Sequence, residues 1–168
     1  MITYGIDNGK NGGIVSVDAN GEIMSACVMP VRNDGELDLT ALEAIFNLCQ
    51  CDYKPCVYIE QAQAMHKQGV SSTFKIGDWY GMIKGIVFAS YIPYEIVNPR
   101  KWQNTLLKHA EGKDTKEKSF NMASKLWPEQ NWIVPRHGVK KTTKFHDGLT
   151  DAALIAEYGR LDRLRKKL

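Results

Sequence analysis

The chain has 168 residues, 43% of them hydrophobic, and a formal net charge of +3, which predicts one compact domain over 1–168 and excludes two large ones. No apolar run approaches the length of a membrane span and the N-terminus has no basic-then-apolar signal pattern, so a soluble cytoplasmic protein with no membrane partner is expected. The charge is uneven, with six basic against eleven acidic residues over 1–99 and eleven against four over 100–144; an acidic body with a late basic stretch suits a polyanionic partner.

The first element is a strand over 2–7, rich in β-branched and aromatic residues (Ile2, Thr3, Tyr4, Ile6), and a second strand follows over 14–17. Asn8, Gly9, Asn11, Gly12 and Gly13 supply the turn between them. Asp7 closes the first run. A carboxylate leaving a buried strand needs compensation, from a metal ion, from Lys10 or from water at an exposed strand end. An ordinary turn aspartate is the alternative. Asn20-Gly21 then turns the chain into a third strand over 22–29, completing an antiparallel meander, and the polar stretch 31–38 with Gly35 makes a loop. Thr40-Ala-Leu-Glu43 has the form of a capping box, followed by Leu42, Ile45, Phe46 and Cys49 at helical spacing.

Residues 55–60 repeat the first pattern, an apolar run ending in an acid, Glu60. Strands this apolar are usually central. Paired beside the first strand, this one brings Glu60 and Asp7 out at the same sheet edge, where two carboxylates repel unless a cation lies between them. The cysteines Cys27, Cys49, Cys51 and Cys56 match no common zinc spacing and read as small buried apolar residues. The polar stretch 61–75 predicts an exposed loop, with Met65, His66 and Phe74 able to touch a partner. A helix over 76–90 follows, with Ile76, Trp79, Tyr80, Ile83 and Val87 on one face. Gly77, Gly81 and Gly85 recur every fourth residue, each costing about 1 kcal/mol relative to alanine in a helix. Such a face admits a close backbone, either the sheet beneath or a partner helix.

A strand over 91–97 is stopped by Asn98-Pro99, which opens a basic helix over 100–109 that exposes Arg100 and Lys101, with Gly112 at or just past its end. Asp114-x-x-Glu117 starts another helix carrying Phe120, Met122, Ala123 and Leu126, closed by Pro128. Lys113, Lys116, Lys118 and Lys125 are its basic residues. The irregular stretch 128–145 contains Arg136-His-Gly-Val-Lys-Lys-Thr-Thr-Lys144, in which Lys140, Lys141 and Lys144 can hold phosphates without reading bases. In the last helix, over 146–158, Asp147 and Asp151 share a face near the start while Leu154, Ile155 and Tyr158 pack. Like charges at this spacing call for a cation. Asp7, Glu60, Asp147 and Asp151 thus form an all-oxygen set suited to Mg²⁺ or Mn²⁺.

Gly5-Ile-Asp7 with its glycine-rich hairpin, Tyr58-Ile-Glu60-Gln61, and His146-Asp147-x-x-x-Asp151-Ala-Ala-Leu-Ile-Ala resemble the motifs of the RuvC family of Holliday-junction resolvases, closest to versions from phages and their hosts. The resemblance spans nearly the whole chain. It implies an α/β, ribonuclease H-like fold with a five-stranded mixed sheet and helices on both faces. It further implies a homodimeric endodeoxyribonuclease of recombination and repair that nicks four-way DNA junctions symmetrically, using two Mg²⁺ or Mn²⁺ ions per site and no nucleotide cofactor. Asp7, Glu60, Asp147 and Asp151 would be the catalytic metal ligands, supported by His146 or Lys10. Arg100, Lys101, Lys113, Lys116, Lys118, Lys140, Lys141 and Lys144 would bind DNA, and the glycine-faced helix would occupy the place of the dimer helix. The last acid pair is four apart where the bacterial enzymes usually have three. An aromatic wedge that those enzymes carry after the glutamate is replaced by Gln63, Met65 and His66, with Phe74 further on. The first loop is also similar to a phosphate loop of actin-like ATPases and sugar kinases, which need a second loop and a longer chain. Nucleases acting on forks, flaps or RNA–DNA hybrids, and junction-binding proteins that do not cut, remain alternatives.

Overall fold

Side chains along a strand point alternately to its two faces, and in the opening strand this alternation divides two cores. The computed structural model describes residues 1–47, 54–63 and 69–166. In it β1 Thr3–Asp7, β2 Gly13–Val17 and β3 Ile23–Val28 form an antiparallel meander, and β4 Cys56–Glu60 and β5 Tyr94–Val97 extend the sheet in parallel with β1. The order β3-β2-β1-β4-β5 places β1 at the centre. Tyr4 and Ile6 of β1 join Val57 and Ile59 of β4 in one core, under α1 Leu39–Asn47 and α2 Val70–Ala89. Tyr58 of β4 with Val15 and Val17 of β2 line the other core, under α5 Asp147–Arg165, together with residues of α3 Pro99–Leu106 and α4 Thr115–Leu126. The expected five-stranded mixed α/β sheet with helices on both faces is therefore the observed one.

The α5 helix lies against β1 with almost no gap. A Cβ on Gly5 would fall 2.1 Å from the Ala152 carbonyl oxygen and 2.2 Å from the Ala156 nitrogen, and one on Gly148 would fall 2.0 Å from the Asn11 carbonyl. Small residues at both contacts let the helix backbone rest on the strand and its hairpin. From Leu149 to Ile155 every residue of α5 is buried except Asp151, which is half-buried.

Several boundaries differ from the sequence expectation. The cap of α1 is Asp38 rather than Thr40: its Oδ1 accepts a hydrogen bond from the Ala41 N–H at 3.0 Å. Asp38→Ala is expected to cost about 1 kcal/mol in urea unfolding, the usual worth of such a cap. Residues 70–75, read as loop, are the first turns of α2. The α3 helix ends at Leu106 and β5 starts only at Tyr94. Asp114 caps α4 as expected, through the Glu117 N–H at 2.9 Å, while Glu117 reaches back to the Lys113 N–H. Cys56 is buried but Cys27 only half so; Cys49, Cys51, Met65 and His66 lie outside the described residues. Among the described residues no helix is long and apolar enough to cross a membrane.

The glycine-bearing face of α2 points away from the sheet. Trp79, Ile83 and Val87 are the residues buried inward, and a Cβ on Gly77, Gly81 or Gly85 would meet nothing within 4 Å. The sheet is therefore not the backbone that these glycines admit.

Candidate active site

Asp7 and Glu60 are the last residues of two neighbouring parallel strands, whose register pairs Ile6 with Ile59 just before them. By the alternation that turns Gly5 and Tyr58 toward α5, both acids emerge on the α5 side of the sheet. Asn8 ties the two strand ends together by donating from its side chain to the Glu60 carbonyl. The close seat of α5 on Gly5 then brings Asp151, a neighbour of Ala152, beside them. Asp151 feels the charges of the other three acids, Asp7, Glu60 and Asp147.

Each carboxylate has a different surrounding. Asp7 Oδ1 accepts from the Gly9 N–H at 3.1 Å, yet burial, with the Asp147 charge, pushes its carboxyl up to about 6. Glu60 Oε1 accepts from the Trp102 indole N–H at 2.8 Å; burial and the Asp7 charge carry it to about 7. Asp151 is pushed up to about 8, chiefly by burial. Its Oδ1 is buried without a hydrogen-bond partner, and so is the Ser119 hydroxyl, which lies near enough to lower the Asp151 pKa without making a bond of good geometry. Asp147 is the exception. It receives Lys116 Nζ on Oδ2 at 2.5 Å and Arg136 Nη2 on Oδ1 at 2.7 Å, and these cations hold it below the usual carboxylate range against the opposing effect of burial.

Asp7, Glu60 and Asp151, none of them in a direct ion pair among the described residues, with a buried Asp151 oxygen that lacks a hydrogen-bond partner, are a donor set that fits a hard divalent cation. Among the described residues no group of three acids, histidines or cysteines already closes around an ion position. Asp147 is held by Lys116 and Arg136.

His146 is a helix cap. Its Nδ1 accepts from the Leu149 N–H at 3.1 Å, the ring is 1% exposed, and burial lowers its pKa, leaving a neutral imidazole. Lys10 is exposed on the hairpin near Gly35, and the lysine that acts on Asp7 is Lys116 instead. Of the basic candidates, Lys116 reaches the acids directly. Lys101 sits 6.0 Å from the Tyr158 ring, seven residues or roughly 10 Å along α5 from Asp151. Arg100, Lys113, Lys140, Lys141 and Lys144 are exposed and Lys118 is half-buried. Phe74, 76% exposed, stands in the part of α2 that shares a cleft with Asn8 and Lys10 beside the site.

The sequence reading missed Trp102, Asn8 and Ser119 as parts of this site and did not single out Arg136. A tryptophan in a short polar helix was the one available signal, since Trp102 is the buried residue of α3.

No family model and no curated protein matches the sequence. Solved structures do. A Thermus thermophilus RuvC in complex with a Holliday junction substrate superposes with a TM-score of 0.64 at 19% identity, covering 98% of this chain and 96% of that one. A second Thermus thermophilus RuvC structure gives 0.63 at 19% identity, covering 98% and 97%. This chain has the RuvC fold. The ribonuclease H-like architecture expected from the motifs is thus shared with RuvC over nearly the full length of both chains.

The pH response of the free protein follows from the three raised acids. Each binds its proton more tightly folded than unfolded, so the stability they contribute is full below about pH 4, the ordinary carboxylate range, and is lost as pH rises through 6 to 8. Asp147 has the opposite sign and matters only as pH falls below that ordinary range. Thermal unfolding in EDTA is expected to show Tm falling between pH 5 and 8.5, less steeply in Asp151→Asn.

Proposed function

We propose that the protein is a structure-selective endodeoxyribonuclease that resolves four-way DNA junctions by metal-dependent phosphodiester hydrolysis. The observation that carries this reading is the meeting of Asp7, Glu60 and Asp151, each with its carboxyl pushed up by burial and by a neighbouring acid, at adjacent strand ends under α5 on a RuvC fold. The neighbour with that fold is described in complex with a Holliday junction substrate, which favours branched DNA over other nucleic acids.

Asp7, Glu60, Asp147 and Asp151 would hold two divalent ions, Mg²⁺ or Mn²⁺, with Asp7 central because its charge acts on both Glu60 and Asp151. When bound, such ions would make a bound water a nucleophile at neutral pH and would stabilise charge on the leaving 3′-oxygen, for 5′-phosphate and 3′-hydroxyl ends. The chain's own residues position these acids. Trp102 fixes Glu60, the Gly9 N–H orients Asp7, and the backbone of α5 seated on Gly5 sets Asp151. No side-chain nucleophile is needed. Lys113, Lys116, Lys118, Lys140, Lys141 and Lys144 hold phosphates, so binding falls steeply with salt. Phe74, exposed near the start of α2, would stack on an opened base pair.

Two symmetric nicks need two sites, which a two-fold homodimer supplies. The outward face of α2 supports one: Gly77, Gly81 and Gly85 lie open between Phe74, Met82 and Phe88, which are 76%, 37% and 74% exposed. An apolar stripe with a glycine trough fits a second copy of itself. Gly81→Leu, whose Cβ would have nothing within 4 Å beyond its own stretch of helix, is expected to leave the fold intact and shift sedimentation from dimer to monomer.

The test is cleavage of a synthetic four-way junction beside matched linear duplex, flap and RNA–DNA hybrid, with Mg²⁺, Mn²⁺ or EDTA. Preferential junction cutting that EDTA abolishes is expected. Equal cutting of flaps or hybrids would keep the chemistry and remove the junction assignment; junction binding with no cutting in any metal would leave a binding protein.

A further inference from the structure

We propose that Lys116 and Arg136 form a latch that withholds Asp147 from the metal site until a DNA phosphate draws the two cations away. The inference rests on the metal-site reading of the four acids given above. Asp147 is the one acid of the four whose two oxygens are both taken by basic side chains, Lys116 at 2.5 Å and Arg136 at 2.7 Å. The pairing is asymmetric in exposure. The Asp147 side chain is 13% exposed, whereas those of Lys116 and Arg136 are 65% and 41% exposed. A buried acid is therefore covered by two cations that face solvent and can exchange it for another anion without leaving their places in the chain.

A DNA phosphate is such an anion. Arginine's planar fork matches phosphate oxygens as well as carboxylate oxygens, and lysine follows as a point charge. The two cations also come from different elements, α4 and the irregular stretch before α5, so one phosphate approaching between them can take both. With its cations transferred, Asp147 is a second uncompensated charge on the first turn of α5, one helical turn from Asp151, and a metal ion becomes its best partner. Substrate and metal then bind cooperatively. By linkage each raises the affinity for the other by the same factor, typically between about 5-fold and 150-fold for coupled sites.

The experiment is Mn²⁺ titration of the free protein followed by electron paramagnetic resonance. The forms compared are wild type, Lys116→Gln/Arg136→Gln, the same double variant with Asp147→Asn added, and Lys125→Gln as a control from the same helix. The double variant is expected to bind Mn²⁺ about tenfold more tightly than wild type, Asp147→Asn to cancel that gain, and Lys125→Gln to behave as wild type. In a second measurement, Ca²⁺ replaces EDTA in anisotropy titrations of a labelled four-way junction. The calcium-induced gain in affinity should be large in wild type and small in the double variant. Unchanged or weaker Mn²⁺ binding in the double variant would overturn the latch, as would a gain that survives Asp147→Asn or an equal calcium gain in both forms. If Mn²⁺ binding by wild type is not abolished by Asp7→Asn, the metal-site reading fails instead.

Discussion

Asp7→Asn is expected to reduce cleavage at least about a thousandfold, because on the proposed reading Asp7 would be a metal ligand whose charge is worth several kcal/mol, and each 1.36 kcal/mol is tenfold in rate. Asparagine keeps the shape and can still accept the Gly9 N–H bond, so the fold survives. Removing a carboxylate whose pKa is pushed up to about 6 also relieves repulsion on Glu60 and Asp151. The variant in EDTA should therefore melt higher than wild type at pH 8 while being inactive. Activity loss accompanied by a lower Tm would point to damaged folding and count against the ligand role.

Gly5→Ala is expected to have the largest effect on stability. Its methyl would fall 2.1 Å from a backbone oxygen and 2.2 Å from a backbone nitrogen of α5, atoms that no rotamer change can move. The helix would have to lift off the central strand, at a cost of at least about 3 kcal/mol. That lift separates Asp151 from Asp7, so the fraction that still folds should cleave poorly. Urea unfolding and Mg²⁺-dependent cleavage of the same preparation check both parts. The matched substitution Gly77→Ala, in open space on α2, should instead be neutral or gain up to about 1 kcal/mol of helix propensity.

The parts legible in the sequence were those with local signals. Two apolar runs ending in Asp7 and Glu60, and an acid pair at a helix start, are short-range patterns, and strand alternation converts them into a shared face. The cap of α1 was misplaced because Asp38 and Thr40 are both good caps two residues apart, and only the hydrogen bond to Ala41 chooses between them. Residues 70–75 did not read as helix because that end of α2 buries nothing: Val70 and Phe74 are exposed, so no apolar periodicity was present to see. Trp102, Asn8 and Ser119 were invisible as site residues because their partners lie 32 to 52 positions away and are met only through the sheet and α5. The two cations on Asp147, 31 and 11 positions away, were hidden in a basic region whose composition pointed outward to DNA.

The most direct test of the central claim uses a supercoiled plasmid that extrudes a cruciform. Paired, symmetric nicking across one junction converts it to linear DNA in a single encounter, in Mg²⁺ and not in EDTA or with Asp7→Asn. Linear product under those conditions is the predicted result; nicked circles alone, or untouched plasmid with any divalent metal, would contradict it.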